Sequence, residues 1–144
     1  MKRLTAVGVA LVLMAATACG SGDATPFPIP SGTVVTETFT GTVPLPINGA
    51  LQADIHNFNV TVGGSLNVTL TAAGPPPTIT MLLAIGNPSS TGTCSILQGA
   101  SAQVTAGTTA QLSGTVDAGA YCVAVADIGN ALQPIAYTVT VAHT

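Results

Sequence analysis

Asp117-Ala-Gly-Ala-Tyr-Cys-Val-Ala-Val-Ala-Asp127 and, after a short turn, Ile135-Ala-Tyr-Thr-Val-Thr-Val141 decide how this chain is read. In the first run Tyr121, Val123 and Val125 alternate with the small residues Ala120, Cys122, Ala124 and Ala126. In the second, Tyr137, Val139 and Val141 keep the same period of two. That period puts every second side chain on one face of a pleated strand, so the two runs are expected to form an antiparallel pair, half-buried on one face.

Upstream, the same pattern recurs between breakers. Val34 to Val43 is rich in Thr and Val, and Pro44-Leu-Pro-Ile-Asn-Gly49 ends it with two prolines and an Asn-Gly turn. A hairpin is expected next. His56, Phe58, Val60 and Val62 share one face and Ile55, Asn57, Asn59 and Thr61 the other, and Gly63-Gly64 turns the chain into Leu66, Val68 and Leu70. Ala73-Gly-Pro-Pro-Pro77 stops that strand, and the nearly continuous apolar run Ile79 to Ile85 suits a central strand covered on both faces. Cys94 to Leu97 reads as a short strand, with weaker ones near Ala102 to Thr105 and Ala110 to Val116. About eight short antiparallel strands and no amphipathic helix after the N-terminal segment indicate an all-β chain, a single β-sandwich or jelly-roll-like domain.

The N-terminus is built differently. Lys2 and Arg3, the apolar run Leu4 to Ala16, and the small residues Ala16-Thr17-Ala18 read as an export signal over residues 1–18, with cleavage between Ala18 and Cys19. The apolar run falls short of the ~20 residues that span a bilayer as a helix. Residues 19–32, with Pro26, Pro28 and Pro30 among glycines and serines, read as an extended tether. The sandwich then occupies 33–144.

Ala16-Thr17-Ala18-Cys19 resembles the lipobox of bacterial lipoproteins. The resemblance implies that Cys19 carries a diacylglyceryl group and an acyl chain and holds the protein to the extracytoplasmic side of a membrane. Lipobox sequences usually have Leu where Ala16 stands, and an ordinary signal peptidase acting at the same place would leave the chain secreted with a free Cys19. With Cys19 taken by lipid, Cys94 and Cys122 remain as an even pair, and an oxidising compartment makes a disulfide between them the expectation.

Charge excludes several partner classes. Lys2 and Arg3 are the whole basic complement, so the exported chain sets five acidic side chains against no Lys or Arg. Nucleic-acid binding is therefore not expected, because it depends on Lys and Arg displacing counterions from phosphates.

The order Phe39-Thr-Gly-Thr-Val43, Asp54-Ile-His-Asn-Phe-Asn-Val60, Gly63-Gly-Ser-Leu-Asn-Val-Thr-Leu70, Asp117-Ala-Gly-Ala-Tyr-Cys-Val-Ala-Val125 and Ala136-Tyr-Thr-Val-Thr-Val141 resembles the bacterial pre-peptidase C-terminal domain. That family carries G-x-L-x-V-x-L, G-x-Y-x-V-x-V and closing Y-x-L-x-V strands. Its domains usually ride on secreted proteases and other hydrolases, whereas this one stands behind a lipobox. The resemblance implies a non-catalytic jelly-roll-like module used in export, attachment or binding.

Catalytic candidates are few. His56 has the carboxylate of Asp54 two residues away on the same face, a spacing that suits acid–base work, but Phe58 and Val60 share that face and favour a core-edge histidine bonded to Asp54 or a backbone carbonyl. His143, next to the last residue, is expected to be solvated. No Ser-His-Asp, Gly-x-Ser-x-Gly or His-Glu-x-x-His pattern occurs, so no enzyme activity is expected. Asp127-Ile-Gly-Asn130 and Asp117 are the candidates for calcium, against the simpler reading that these side chains bond their own turns; no metal or other cofactor is expected. The expected partners are a membrane, through the lipid, and an envelope protein or glycan. Glycan binding would need aromatic faces, and of Phe27, Phe39, Phe58, Tyr121 and Tyr137 all but one are claimed by strands or core.

Overall fold

The computed structural model describes residues 32–144, which form two packed four-stranded antiparallel sheets; the signal, lipobox and tether readings lie outside the described residues. The strands are β1 (Val35–Val43), β2 (Ala53–Val60), β3 (Gly64–Gly74), β4 (Thr80–Pro88), β5 (Cys94–Thr105), β6 (Leu112–Val116), β7 (Gly119–Asp127) and β8 (Ile135–His143). One sheet has the order β1-β8-β3-β6 and the other β2-β7-β4-β5. The described residues are all-β, a β-sandwich, as their periodicity indicates.

The deciding pair is placed differently from expectation. β7 and β8 do not pair with each other: β7 lies between β2 and β4, and β8 between β1 and β3. Each is central to its own sheet. The reason is burial. Val123 and Val125 face the core, and Cys122 and Ala124 on the opposite face are buried too, so β7 is covered on both sides, whereas β8 alternates buried and partly open positions. A central position for each of the two most apolar strands removes more surface from water than pairing them side by side. Residues 128–134 are long enough to cross the ~10 Å between packed sheets.

The same crossing changes the expected hairpin. β2 and β3 belong to different sheets, so Gly63-Gly64 carries the chain over rather than back. A tight turn does form at Asn48-Gly49, where both residues have positive φ (52° and 78°) and Ile47 and Ala50 exchange backbone hydrogen bonds of 3.1 and 2.9 Å. Asn and Gly tolerate that backbone, as a primed turn demands. The run before Pro88 does form a central strand, β4, between β7 and β5.

The two short strands expected at Cys94 to Leu97 and Ala102 to Thr105 are one long strand, β5. Its register against β4 jumps from Ala84↔Ser101 to Gly86↔Ile96, which pushes residues 97–100 out of the ladder as a bulge. From β5 the chain crosses to β6 in the other sheet, and Gln111 pins the crossing: its Oε1 accepts from the Leu70 N–H at 2.7 Å and its Nε2 donates to the Thr105 carbonyl at 2.8 Å. The core between the sheets is aliphatic, with Val68, Leu70, Met81, Leu83, Val123, Val125, Val139 and Val141 fully buried.

Cys94 and Cys122 have their sulfurs at bonding distance, 2.03 Å, with Cα atoms 5.9 Å apart. They sit on β5 and β7 and reach across β4, where Gly86 leaves the space; a Cβ there would come within 2.9 Å of the Cys94 sulfur and run into the Ser95 carbonyl.

Candidate functional site at the β1/β2 edge

Along β1 the inward positions are Val35, Glu37, Phe39, Gly41 and Val43, an unusually polar and aromatic set for a core-facing row. Along β2 they are Asp54, His56, Phe58 and Val60. These two edge strands bring the titratable side chains of opposite sheets together, and β8 supplies Tyr137 and His143 beside them.

His56 is partly exposed, and its Nε2 lies 2.8 Å from the Tyr137 hydroxyl and 3.8 Å from Asp54 Oδ2. Phe39 stacks on the imidazole with ring centroids 4.9 Å apart. The expected Asp54–His56 pairing is present as the longer contact, and the closer partner is a tyrosine from the other sheet. Burial first, then the hydrogen bond and negative charge of Asp54, push the Tyr137 hydroxyl far above the ordinary range for a phenol. Tyr137 therefore stays protonated and donates a hydrogen bond to the Asp54 carboxylate, and the tautomer of His56 follows from its partners: Nε2–H donates to the phenol oxygen. Gly41 is required beneath this group. A Cβ there would overlap the Asp54 carboxylate and the Tyr137 ring.

Two residues further along the same edge strands, at Glu37 and Phe58, a second histidine is held by a carboxylate and a phenylalanine. His143 is buried, not solvated as its place near the end of the sequence suggests, because the β8 alternation runs through to it and turns it inward. Its Nε2–H donates to Glu37 Oε1 at 3.1 Å, and its ring stacks on Phe58 at 5.7 Å. Phe58 stacks in turn on Tyr121 at 5.9 Å.

Chemically, a phenol held protonated is a hydrogen-bond donor and not a nucleophile or general base at neutral pH. What the cluster does is bond one sheet to the other at an edge where backbone ladders cannot. Tyr137 and Glu37 were not singled out in the sequence. Glu37 carried a signal, a charged residue in the inward register of a strand whose outward positions are all threonine. Tyr137 carried none beyond its period.

The calcium candidates are not brought together. Asp117 precedes β7 and Asp127 ends it, and the length of that strand sets them roughly 26 Å apart. Asp127 is 1% exposed and caps its own turn, with Oδ1 accepting from the Asn130 and Ala131 N–H groups at 3.2 Å each, while Asn130 Nδ2 donates to the Thr80 carbonyl. The second oxygen, Oδ2, is buried without a partner among the described residues. The Asp117 carbonyl accepts from the Tyr121 hydroxyl at 3.1 Å. Among the described residues no three His, Cys, Asp or Glu side chains converge as metal ligands, and no helix is long and apolar enough to cross a membrane.

No protein-family model matches the chain, and no curated protein matches it.

Proposed function

We propose that this protein is an exported, lipid-anchored, non-catalytic β-sandwich of the bacterial cell envelope, held through Cys19 and serving an interaction, attachment or scaffold role. The observation that carries the export half is the Cys94–Cys122 pair, since a structural disulfide of this kind persists in an oxidising compartment and is rare in a reducing one. Ala16-Thr17-Ala18-Cys19 supports the anchor. The pre-peptidase C-terminal reading is supported by the placement of its phrases: Gly119-x-Tyr-x-Val-x-Val125 and Tyr137-x-Val-x-Val141 form the central strands of the two sheets. The non-catalytic reading is supported by the histidines, both of which stack on phenylalanines of the opposite sheet and are hydrogen-bonded to side chains, His56 to Tyr137 across the sheets and His143 to Glu37 within its own.

Intact mass of the protein from a native membrane fraction, before and after reduction, tests the proposal. The expected mass is that of Cys19 to Thr144 plus a diacylglyceryl group and an acyl chain, rising by one pair of hydrogens on reduction. An unmodified chain beginning at Cys19 and recovered from the medium would overturn the anchor. It would leave a secreted module, for which weak glycan binding is the alternative, tested by retention on peptidoglycan and common polysaccharides.

A further inference from the structure

The outward face of the β1-β8-β3-β6 sheet is made almost wholly of short, uncharged side chains, and threonines form its centre. Three neighbouring strands each carry Thr-x-Thr: Thr38 and Thr40 on β1, Thr138 and Thr140 on β8, Thr69 and Thr71 on β3. The registers align five of them. Thr38 faces Thr140, which faces Thr69, and Thr40 faces Thr138, whose partner on β3 is Ala72; Thr71 is the extra residue of a bulge, and its hydroxyl donates to the Thr138 carbonyl at 3.2 Å. Thr36 and Thr42 extend the β1 row, and all four β1 threonines are exposed.

We infer that this face binds ice. Its five paired threonines, Thr38, Thr140 and Thr69 in one row and Thr40 and Thr138 in the next, repeat at ~4.8 Å across the strands and ~6.8 Å along them. The oxygen rows on the prism face of hexagonal ice repeat close to both spacings. Each paired threonine offers a hydroxyl that can take a lattice position and a methyl that leaves neighbouring water to bond with itself. A charged side chain would impose its own hydration shell on that water, and none is present: of the described acidic residues, Glu37 and Asp54 belong to the β1/β2 edge, Asp117 to a turn and Asp127 to the interior. Adjacent strands rotate by roughly 20–25°, which limits a planar match to a few strands, and the threonine array is three strands wide.

Other partners fit this face less well. Sugar rings stack on aromatic faces, and Phe39, Phe58, Tyr121 and Tyr137 all turn inward. Anionic or cationic surfaces need opposite charge on the protein, which this sheet lacks. Binding here is independent of the proposed anchor, since it requires only the folded sandwich.

The test is partition of the purified protein, as the cell processes it, into slowly growing polycrystalline ice, together with thermal hysteresis and retention on insoluble cellulose and chitin. The native chain is expected to concentrate in the ice and to depress its growth. Thr140→Lys, at the centre of the array, and Thr38→Lys, on its exposed edge strand, are expected to abolish both effects. Asn59→Lys, on the outward face of the other sheet, should leave them unchanged, and thermal melts identify any variant that has failed to fold. Exclusion of the native chain from ice would overturn the proposal, as would equal behaviour of Thr38→Lys and Asn59→Lys, or retention on a polysaccharide without partition into ice.

Discussion

The two open edges of the sandwich are closed by different means. At the β1/β2 edge, side chains from both sheets interlock: His56 with Tyr137 and Phe39, His143 with Glu37 and Phe58. At the β5/β6 edge no aromatic or titratable side chains interlock among the described residues, and the side-chain link between the sheets is Gln111, which bonds Leu70 and Thr105. The bulged residues of β5 and the short β6 stand apart over a cleft of about 230 Å³, lined by Leu66, Ile85, Leu97, Leu112 and Val116. The covalent element on that side is the Cys94–Cys122 bridge, which ties β5 to β7 across β4 within one sheet. An edge strand fixed to its own sheet by a covalent bridge tolerates open space beneath it, whereas an edge closed by packed and hydrogen-bonded side chains does not.

Removing the staple should have the largest effect. Cys94 and Cys122 are 28 residues apart in sequence. A loop of that length contributes about 3–4 kcal/mol in the chain-entropy account. Cys94→Ser with Cys122→Ser should lower stability by about that amount in chemical denaturation, with the first loss of hydrogen-exchange protection in β5. Equal loss of protection in β1 and β5 would show that the bridge supports the sandwich evenly and not one edge.

Next in size comes Gly41→Ala. Its added methyl has no room between the Asp54 carboxylate and the Tyr137 ring, so the interlock must open or shift. A loss of about 2 kcal/mol is expected, in the range of overpacked cores, read as a lower denaturation midpoint at unchanged slope. An unchanged midpoint would show that the β1/β2 edge is loose.

Tyr137→Phe removes one hydroxyl and leaves Asp54 and His56 each short of a partner, an expected loss of about 1–2 kcal/mol. Its signature is in the pH dependence. In the unfolded chain the phenol ionises near pH ~10, while in the folded protein burial and Asp54 keep it protonated well above that. The folded state thus holds one more proton, so the stabilisation is complete below pH ~10 and falls as the pH rises further. Tyr137→Phe should flatten that alkaline fall; an alkaline limb as steep as that of the native chain would remove Tyr137 from the account.

Much of the fold was legible because alternation is a local signal. β2, β3, β7 and β8 follow from period two between breakers, β1 from its Thr and Val content and β4 from a nearly continuous apolar run, and the Cys94–Cys122 pairing follows from counting thiols. Pairing partners were not legible. Nothing in Tyr121 to Asp127 or Ile135 to Val141 states that each will be central to a separate sheet, because that choice is made by total burial over eight strands. The candidate site was half legible for the same reason. Asp54 and His56 are two residues apart on one strand, so their proximity can be read, but Tyr137 reaches His56 from 81 residues away and Glu37 reaches His143 from 106. The burial of His143 was hidden by its nearness to the last residue.

The smallest effect should also have the opposite sign, and it comes from the other edge. Gly114 sits on β6 facing Leu66, and a Cβ added there would meet no atom within 4 Å because it points into the cleft. Its backbone needs no left-handed conformation, so alanine enters without strain. Gly114→Ala should then stabilise the protein by about 0.5 kcal/mol, chiefly by narrowing the unfolded ensemble. The same substitution, glycine to alanine on an inward position of an edge strand, is thus expected to destabilise at Gly41 and stabilise at Gly114. Measuring the two midpoints side by side isolates the difference between the edges from any general effect of losing a glycine. If both variants lost stability alike, the β5/β6 cleft would be closed in solution and the contrast between the edges would fall.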